Sequence, residues 1–190
     1  NQDDRNNVRK KLGLSEEFVI IHTGRFLEQK NHTFILEVFK KIKMKKIEAK
    51  LFLLGTGELF EEIKKYAQEL NISNDVYFLG VKSDVERYLS AADCFIMPSL
   101  YEGLPVAAIE AECSGLPCYL STNITREVAL TDVVSFLDLA QSAEEWANVI
   151  SNNINIVRKD KSKMVIEYGY DVQEVAKKLQ EFYENAVMRN

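Results

Sequence analysis

The chain has 190 residues, of which 46% are hydrophobic and 28% charged, with only 3 Pro and 8 Gly. That balance belongs to a packed globular domain and excludes collagen-like, low-complexity and disordered classes. A formal net charge of -5 argues against a duplex-binding protein, whose affinity would rest on Lys and Arg neutralising phosphates, and leaves room for one local anion pocket.

At roughly 100 to 200 residues per domain, the length predicts a single domain. The longest purely apolar stretches, residues 18–21 and 51–54, fall far short of the ~20 residues that cross a bilayer. The charged opening NQDDRNNVRKK carries no apolar core of a signal peptide. Cys94, Cys113 and Cys118 sit in apolar company without C-x-x-C spacing, which predicts unpaired thiols in a reducing, cytoplasmic compartment.

A first helix ends at Lys11-Leu12-Gly13-Leu14, with a glycine near its C-terminus and Ser15-Glu16-Glu17 as a stop. Residues 18–22 read as a β-branched apolar strand closed by Thr23-Gly24, and over 31–43 Phe34, Ile35, Val38, Phe39 and Ile42 recur at helical spacing. The alternation repeats as strand 49–54, helix 58–70, strand 76–79, short helix 84–92, strand 94–97, helix 106–114, strand 118–120 and a last strand over 133–137. Helices over 143–155 and 172–187 follow, the second with Val172, Val175, Leu179, Phe182 and Tyr183 on a stripe that needs a surface to cover. Continuously apolar strands joined by helices predict an α/β fold: a parallel sheet covered on both faces, Rossmann-like and doubly wound.

Ligands of such sheets bind at the carboxyl ends of the strands, so the strand–helix junctions are where chemistry is sought. At the first junction, Gly24-Arg25-Phe26-Leu27-Glu28-Gln29-Lys30 sets two cations five residues apart beside the amides that open the next helix. Two cations there can clamp an anion, and diphosphate fits. A later junction, PSLYEGLPVAAIEA over 98–111, puts Glu102 at the end of a strand and Glu110 eight residues on. Gly103 lets a ligand approach the backbone, and Pro105 suits the first turn of a helix. Eight helical residues rise about 12 Å, too far for one metal or an acid–base dyad and about the span of a sugar diphosphate with its ribose. Each carboxylate could accept a pair of hydroxyl hydrogen bonds. The plainer alternatives are solvated loop charges for Arg25 and Lys30, a capping group for Glu102 and a solvated helix residue for Glu110.

This arrangement resembles the retaining glycosyltransferases of family 4 with the GT-B architecture, along nearly the whole chain. The E-x7-E signature falls on Glu102 and Glu110 and the basic pair on Arg25 and Lys30 in GRFLEQKNH, while AKLFLLGTGEL, VYFLGVKSDVERYLSAADCFIMPS and AECSGLPCYLS are similar to the connecting segments. The combination also resembles enzymes of bacterial capsular and exopolysaccharide synthesis. The resemblance implies one half of a GT-B architecture, the C-terminal nucleotide-sugar donor domain. It puts Arg25 and Lys30, with Gly24 in the same turn, on the diphosphate. Glu102 with the Gly103 and Leu104 amides then meets the sugar and distal phosphate, Glu110 the ribose hydroxyls, and backbone near Val81 and Lys82 the base.

The same resemblance implies a UDP- or GDP-sugar donor, no required metal or other cofactor, and transfer with retention at the anomeric carbon. The acceptor, a sugar or lipid-linked oligosaccharide, would bind an N-terminal domain that has no counterpart in these 190 residues, so residues 1–11 read as the exit from an interdomain linker. The chain alone is then expected to be inactive, with the stripe of its last helix or the sheet edge near Gly24 and Tyr101 left open. A nucleotide-sugar epimerase of the same architecture and a non-enzymatic nucleotide-sugar sensor are the alternatives.

Other signals are weaker. Gly55-Thr56-Gly57 has the start of a dinucleotide turn, but Phe60 stands where a third glycine belongs, so NAD is not expected. His22 ends a buried strand and reads as a satisfied core residue; His32 adjoins the loop of the basic pair and is expected to help order it. Neither has the Cys or His neighbours of a zinc site. Lys40, Lys41, Lys43, Lys45, Lys46 and Lys50 cluster, as a solvated helix end or, alternatively, a peripheral contact with anionic lipid at the inner face of the cytoplasmic membrane. The aromatics are scattered core residues and form no stacking platform for nucleic acid.

Overall fold

The computed structural model describes residues 2–156 and 158–188, and the side chains of those up to residue 185. Asn1, the first residue of the expected linker exit, lies outside the described residues. Six strands, β1 (Phe18–Thr23), β2 (Ala49–Leu54), β3 (Val76–Gly80), β4 (Cys94–Met97), β5 (Cys118–Ser121) and β6 (Val134–Leu137), make one sheet in the order β3-β2-β1-β4-β5-β6. Every pairing is parallel. The helices are α1 (Gln2–Lys11), α2 (His32–Met44), α3 (Phe60–Glu69), α4 (Val85–Ala91), α5 (Val106–Cys113), α6 (Ala143–Asn152), α7 (Ser162–Glu167) and α8 (Val172–Met188). This is the expected Rossmann-like doubly wound α/β fold.

Why the strands lack polar alternation is visible in the two cores. Side chains of successive strand residues point to opposite faces, and here both faces are covered. Val19, Ile21, Phe52, Phe95 and Met97 pack with Val8 of α1, Leu89 of α4 and Ile109 of α5. The intervening Ile20, Leu51, Leu53 and Ile96 pack with Ile35 and Phe39 of α2, Ile63 of α3 and Trp146 of α6.

α1 is fastened by side chains that sequence spacing did not single out. Arg9, itself buried, donates to the Ser15, Glu17 and Ala91 carbonyls and pairs with Asp93, while Arg5 pairs with the other Asp93 oxygen at 2.7 Å. Asp93 Oδ2 in turn accepts from the Val19 amide at the start of β1. α6 opens on a capping box between Ser142 and Glu145 and ends at Asn152, not Asn155; the Asn153 side-chain amide, through Nδ2, donates back to the Val149 carbonyl at its C-terminus. α7 was not expected. It has six residues and a single buried side chain, Val165, too few for a periodic pattern to register.

The stripe on α8 is open: Val172 is 80% exposed, and Leu179, Phe182 and Tyr183 are exposed too. Tyr101, at the carboxyl edge of the sheet, is likewise exposed.

Candidate functional site

The strand order reverses between β1 and β4, which lie side by side and are followed by helices leading to opposite ends of the sheet. A crevice must open there, above the carboxyl ends of the two strands. The loops that border it, residues 24–31 and 98–105, are the two junctions that carry the basic pair and Glu102.

Tight packing shapes the first loop. Gly24 donates its amide to the Leu54 carbonyl, and Phe26 its own to Thr56. Gly55, at φ +129°, leaves no room for a side chain, since a Cβ there would come within 2.0 Å of the Gly24 oxygen. A Cβ on Gly57 would stand 2.5 Å from the Phe26 oxygen. Gly55-Thr56-Gly57 is therefore a bed for residues 24–26, which accounts for the motif without a dinucleotide.

Lys30 ends a short 3-10 turn, Glu28–Lys30. Its stem runs past Gly24, where a Cβ would meet Lys30 Cδ and Cε at 3.3 Å and His22 Nε2 at 3.0 Å. The ammonium reaches Glu102 Oε1 at 2.5 Å, with the two side chains only 16% and 9% exposed. Two residues assigned separately from the sequence, one to the diphosphate and one to the sugar, thus form a charge-assisted hydrogen bond between loops. Arg25 is exposed and makes no ion pair among the described residues. A Cβ on Gly103 would meet nothing within 4 Å, so the backbone there is approachable, and Leu104 beside it is exposed.

Glu110 stands on α5 over a separate groove of about 450 Å3, bordered by Ser83, Val85, Glu86, Val106 and Tyr170. Glu110 is exposed, yet partial desolvation by the groove wall, and then the Glu86 carboxylate, hold its pKa above the usual carboxylate value. Val81 is exposed at the end of β3, and the Lys82 ammonium lies 5.7 Å above the Tyr88 ring. The loops of Arg25, Lys30, Glu102 and Gly103 thus meet at the switch point, while Glu110 borders the neighbouring groove, whose lining begins at Ser83, just beyond Val81 and Lys82.

Beneath the crevice sit two buried imidazoles. His22 Nδ1 faces the Ile96 carbonyl at 2.8 Å, so it carries the proton and leaves Nε2 as a bare lone pair. His22 is thus half-satisfied, contrary to the expectation of a satisfied core residue: His22 Nε2 and both nitrogens of His32 are buried without a hydrogen-bond partner. His32 stacks on Phe26 at 4.1 Å and meets the His22 ring edge-on at 4.8 Å. Burial lowers the His22 pKa to about 4, with the Lys30 charge adding to it. Burial, His22 and Lys30 lower that of His32 to about 2.

A carboxylate that the sequence reading missed is Glu112, fully buried on α5. Its Oε2 accepts from the Leu130 and Thr131 amides and the Thr131 hydroxyl at 2.8 to 3.0 Å. A signal was available: two residues from Glu110 on a helix, Glu112 must face the other way, toward the sheet. A larger concavity of about 780 Å3 lies at the opposite ends of the strands, but its Arg5 and Arg158 are already committed to the Ser90, Ala91, Ala92 and Ser114 carbonyls. Four of the six clustered lysines are ion-paired, Lys41 and Lys45 with Glu144 and Lys43 and Lys50 with Asp75. Among the described residues no group of three or more His, Cys, Asp or Glu side chains is placed to hold a metal ion.

Fold and site together define a doubly wound α/β domain in which Lys30 meets Glu102 at the switch point, with Arg25 exposed on the same loop as Lys30. The family profile described as Glycosyl transferases group 1 matches residues 4–151, and the chain belongs to that family. It is 37% identical to EpsF of Bacillus subtilis (strain 168) over 164 residues, covering 84% of this chain and 43% of that one. It is 32% identical over 181 residues to the UDP-Gal:alpha-D-GlcNAc-diphosphoundecaprenol alpha-1,3-galactosyltransferase of Escherichia coli, covering 81% of this chain and 46% of the relative. Among solved structures, Anabaena Alr3699/HepE in complex with UDP-glucose superposes with a TM-score of 0.82 at 19% identity, over 97% of this chain and 53% of that one. The lipopolysaccharide-biosynthesis glycosyltransferase WaaG gives 0.78 at 19% identity, over 95% and 50%. The sheet is thus one half of a GT-B architecture, and the chain spans about half the length of these relatives.

Proposed function

We propose that this chain is the donor-binding half of a family 4, retaining glycosyltransferase that transfers a sugar from a nucleoside diphosphate to a polysaccharide or lipid-linked acceptor. The observation that carries the proposal is the meeting of Lys30 and Glu102 at the switch point, beside a glycine whose backbone is open to a ligand. Arg25 and Lys30 bind the diphosphate and stabilise the charge that develops on it as the glycosidic bond to the sugar breaks, with fixed cations in place of a metal. Glu102, with the amides of Gly103 and Leu104, orients the sugar and distal phosphate. Glu110 accepts the ribose hydroxyls, and the backbone at Val81 and Lys82 holds the base.

The UDP-glucose held by Alr3699/HepE and the UDP-galactose named for the Escherichia coli relative support a UDP-sugar as donor, with a GDP-sugar as the alternative. The diphosphoundecaprenol in that relative's name supports a lipid-linked acceptor, which a second, N-terminal domain would bind at the cytoplasmic face of a membrane. The lysine cluster adds nothing to a membrane reading, because most of its charge is paired. Among the described residues no helix is long and apolar enough to cross a bilayer.

The test is a thermal-shift series on the chain with UDP, GDP, ADP, their sugar conjugates and NAD. A ligand at 100 times its dissociation constant adds about 2.7 kcal/mol, or about 5 to 10 °C for a domain of this size. A shift with one nucleoside diphosphate that disappears in Arg25→Ala and Glu110→Ala is the expected result. A shift with NAD alone, or one indifferent to both substitutions, would overturn the reading.

A further inference from the structure

The loop that carries Glu102 has no regular structure over residues 98–101, yet each of those four successive carbonyls accepts a hydrogen bond from a different side chain. Asn31 Nδ2 donates to Pro98 at 3.2 Å and Ser121 Oγ to Ser99 at 2.6 Å. Asn123 Nδ2 donates to Leu100 at 2.9 Å and Gln29 Nε2 to Tyr101 at 2.8 Å. Two of the donors come from the loop after β1 and two from the end of β5 and just beyond, so the loop is gripped from both neighbours. Two main-chain contacts follow the same lines: the Leu100 amide donates to the Gln29 carbonyl, and Glu102 forms an isolated parallel bridge with Ile124.

Asn31 is shaped for this. It holds a left-handed conformation at φ 55°, which asparagine tolerates far better than most residues. That conformation lets the chain turn from the Lys30 loop into α2 while its amide faces Pro98.

Engaging four successive carbonyls with amide and hydroxyl donors from both sides fixes the backbone before a ligand arrives, so less ordering remains to be done on binding. We propose that Gln29, Asn31, Ser121 and Asn123 are positioning residues that preorganise the Glu102 loop for the donor. This rests on the donor-site reading above and adds residues that touch neither sugar nor phosphate.

Gln29 and Asn123 make their bonds at the exposed surface, so the double variant Gln29→Ala/Asn123→Ala tests the idea without unfolding the chain. Its ligand-free melting temperature is expected to stay within about 4 °C of wild type. Amide exchange over residues 98–104 should quicken while β2 is unchanged, and UDP and GDP titrations should show the dissociation constant of whichever binds wild type raised at least about fivefold. Lys30→Ala is titrated in parallel as the variant that removes a direct phosphate contact. If wild type binds and Lys30→Ala loses affinity while the double variant keeps both affinity and exchange rates, the positioning role is overturned and the donor site stands. If wild type binds neither nucleotide, the donor reading falls and this proposal with it.

Discussion

Lys30 Nζ and Glu102 Oε1, 72 residues apart in sequence, stand 2.5 Å apart across the boundary between β1 and β4. That contact turns two separately loaded loops into one site. It also keeps a partly buried cation and carboxylate compensated when no ligand is bound, since either one alone in that position would lack a partner for its charge.

The pair should therefore be energetically coupled. In a double-mutant cycle with Lys30→Met and Glu102→Gln, denaturant unfolding is expected to give a coupling of about 0.5 to 3 kcal/mol, the double variant losing less than the sum of the singles. Additive losses would mean that the contact contributes nothing as a pair.

Two glycines should respond oppositely. Gly55→Ala forces a Cβ onto the Gly24 carbonyl at an unfavourable φ, so a loss of about 2 to 5 kcal/mol in unfolding free energy is expected. Gly103→Ala meets open space and should leave stability within about 0.5 kcal/mol, while weakening nucleotide-sugar binding by calorimetry because the methyl group enters the space given to the ligand.

Acid should weaken the fold through the two histidines. Their pKa values, lowered by burial from 6.5 to about 4 for His22 and about 2 for His32, mean that between pH 6.5 and 4 the unfolded chain binds protons that the folded one refuses. Stability is then fully present above pH 6.5 and falls with acid, by roughly 1 kcal/mol per pH unit for each ring. Denaturant midpoints at pH 7, 6, 5 and 4 should show this slope, and His32→Phe, which keeps a ring against Phe26, should reduce it. An identical slope in the variant would assign the acid sensitivity to other groups.

Glu112 should prove structural. Glu112→Ala strips the buried Leu130 and Thr131 amides of their acceptor and is expected to cost about 2 to 4 kcal/mol. Glu112→Gln, which keeps an acceptor oxygen, should cost less, and neither should alter nucleotide affinity once the chain is folded.

Much of this protein is legible one residue at a time. Strand 94–97 falls where its apolar run begins and ends, and strand 49–54 is apolar but for the half-buried Lys50, because strands covered on both faces need apolar side chains at nearly every position. The helices of the α/β repeat announce themselves by period, α2 and α6 above all, while α7 does not, having only one buried side chain to show. Arg9 and Asp93 were missed for another reason. Their work is to satisfy carbonyls and an amide on other elements, and no local pattern records a partner some 80 residues away. The lone GxG at Gly55 and Gly57 was visible but ambiguous until the backbone of residues 24–26 was seen lying on it.

Sequence by itself thus determined the alternation of elements, the burial of the strands on both sides, and the two junctions rich in charge, since each of these follows from side-chain type and spacing along a short stretch. Only the tertiary structure decided that β1 and β4 are neighbours, that the order reverses between them, and that Lys30 therefore meets Glu102 while Glu110 borders the next groove. Periodicity says which face of a strand is covered; strand order is set by how whole helices and strands pack against one another, and that is a long-range choice no local pattern encodes.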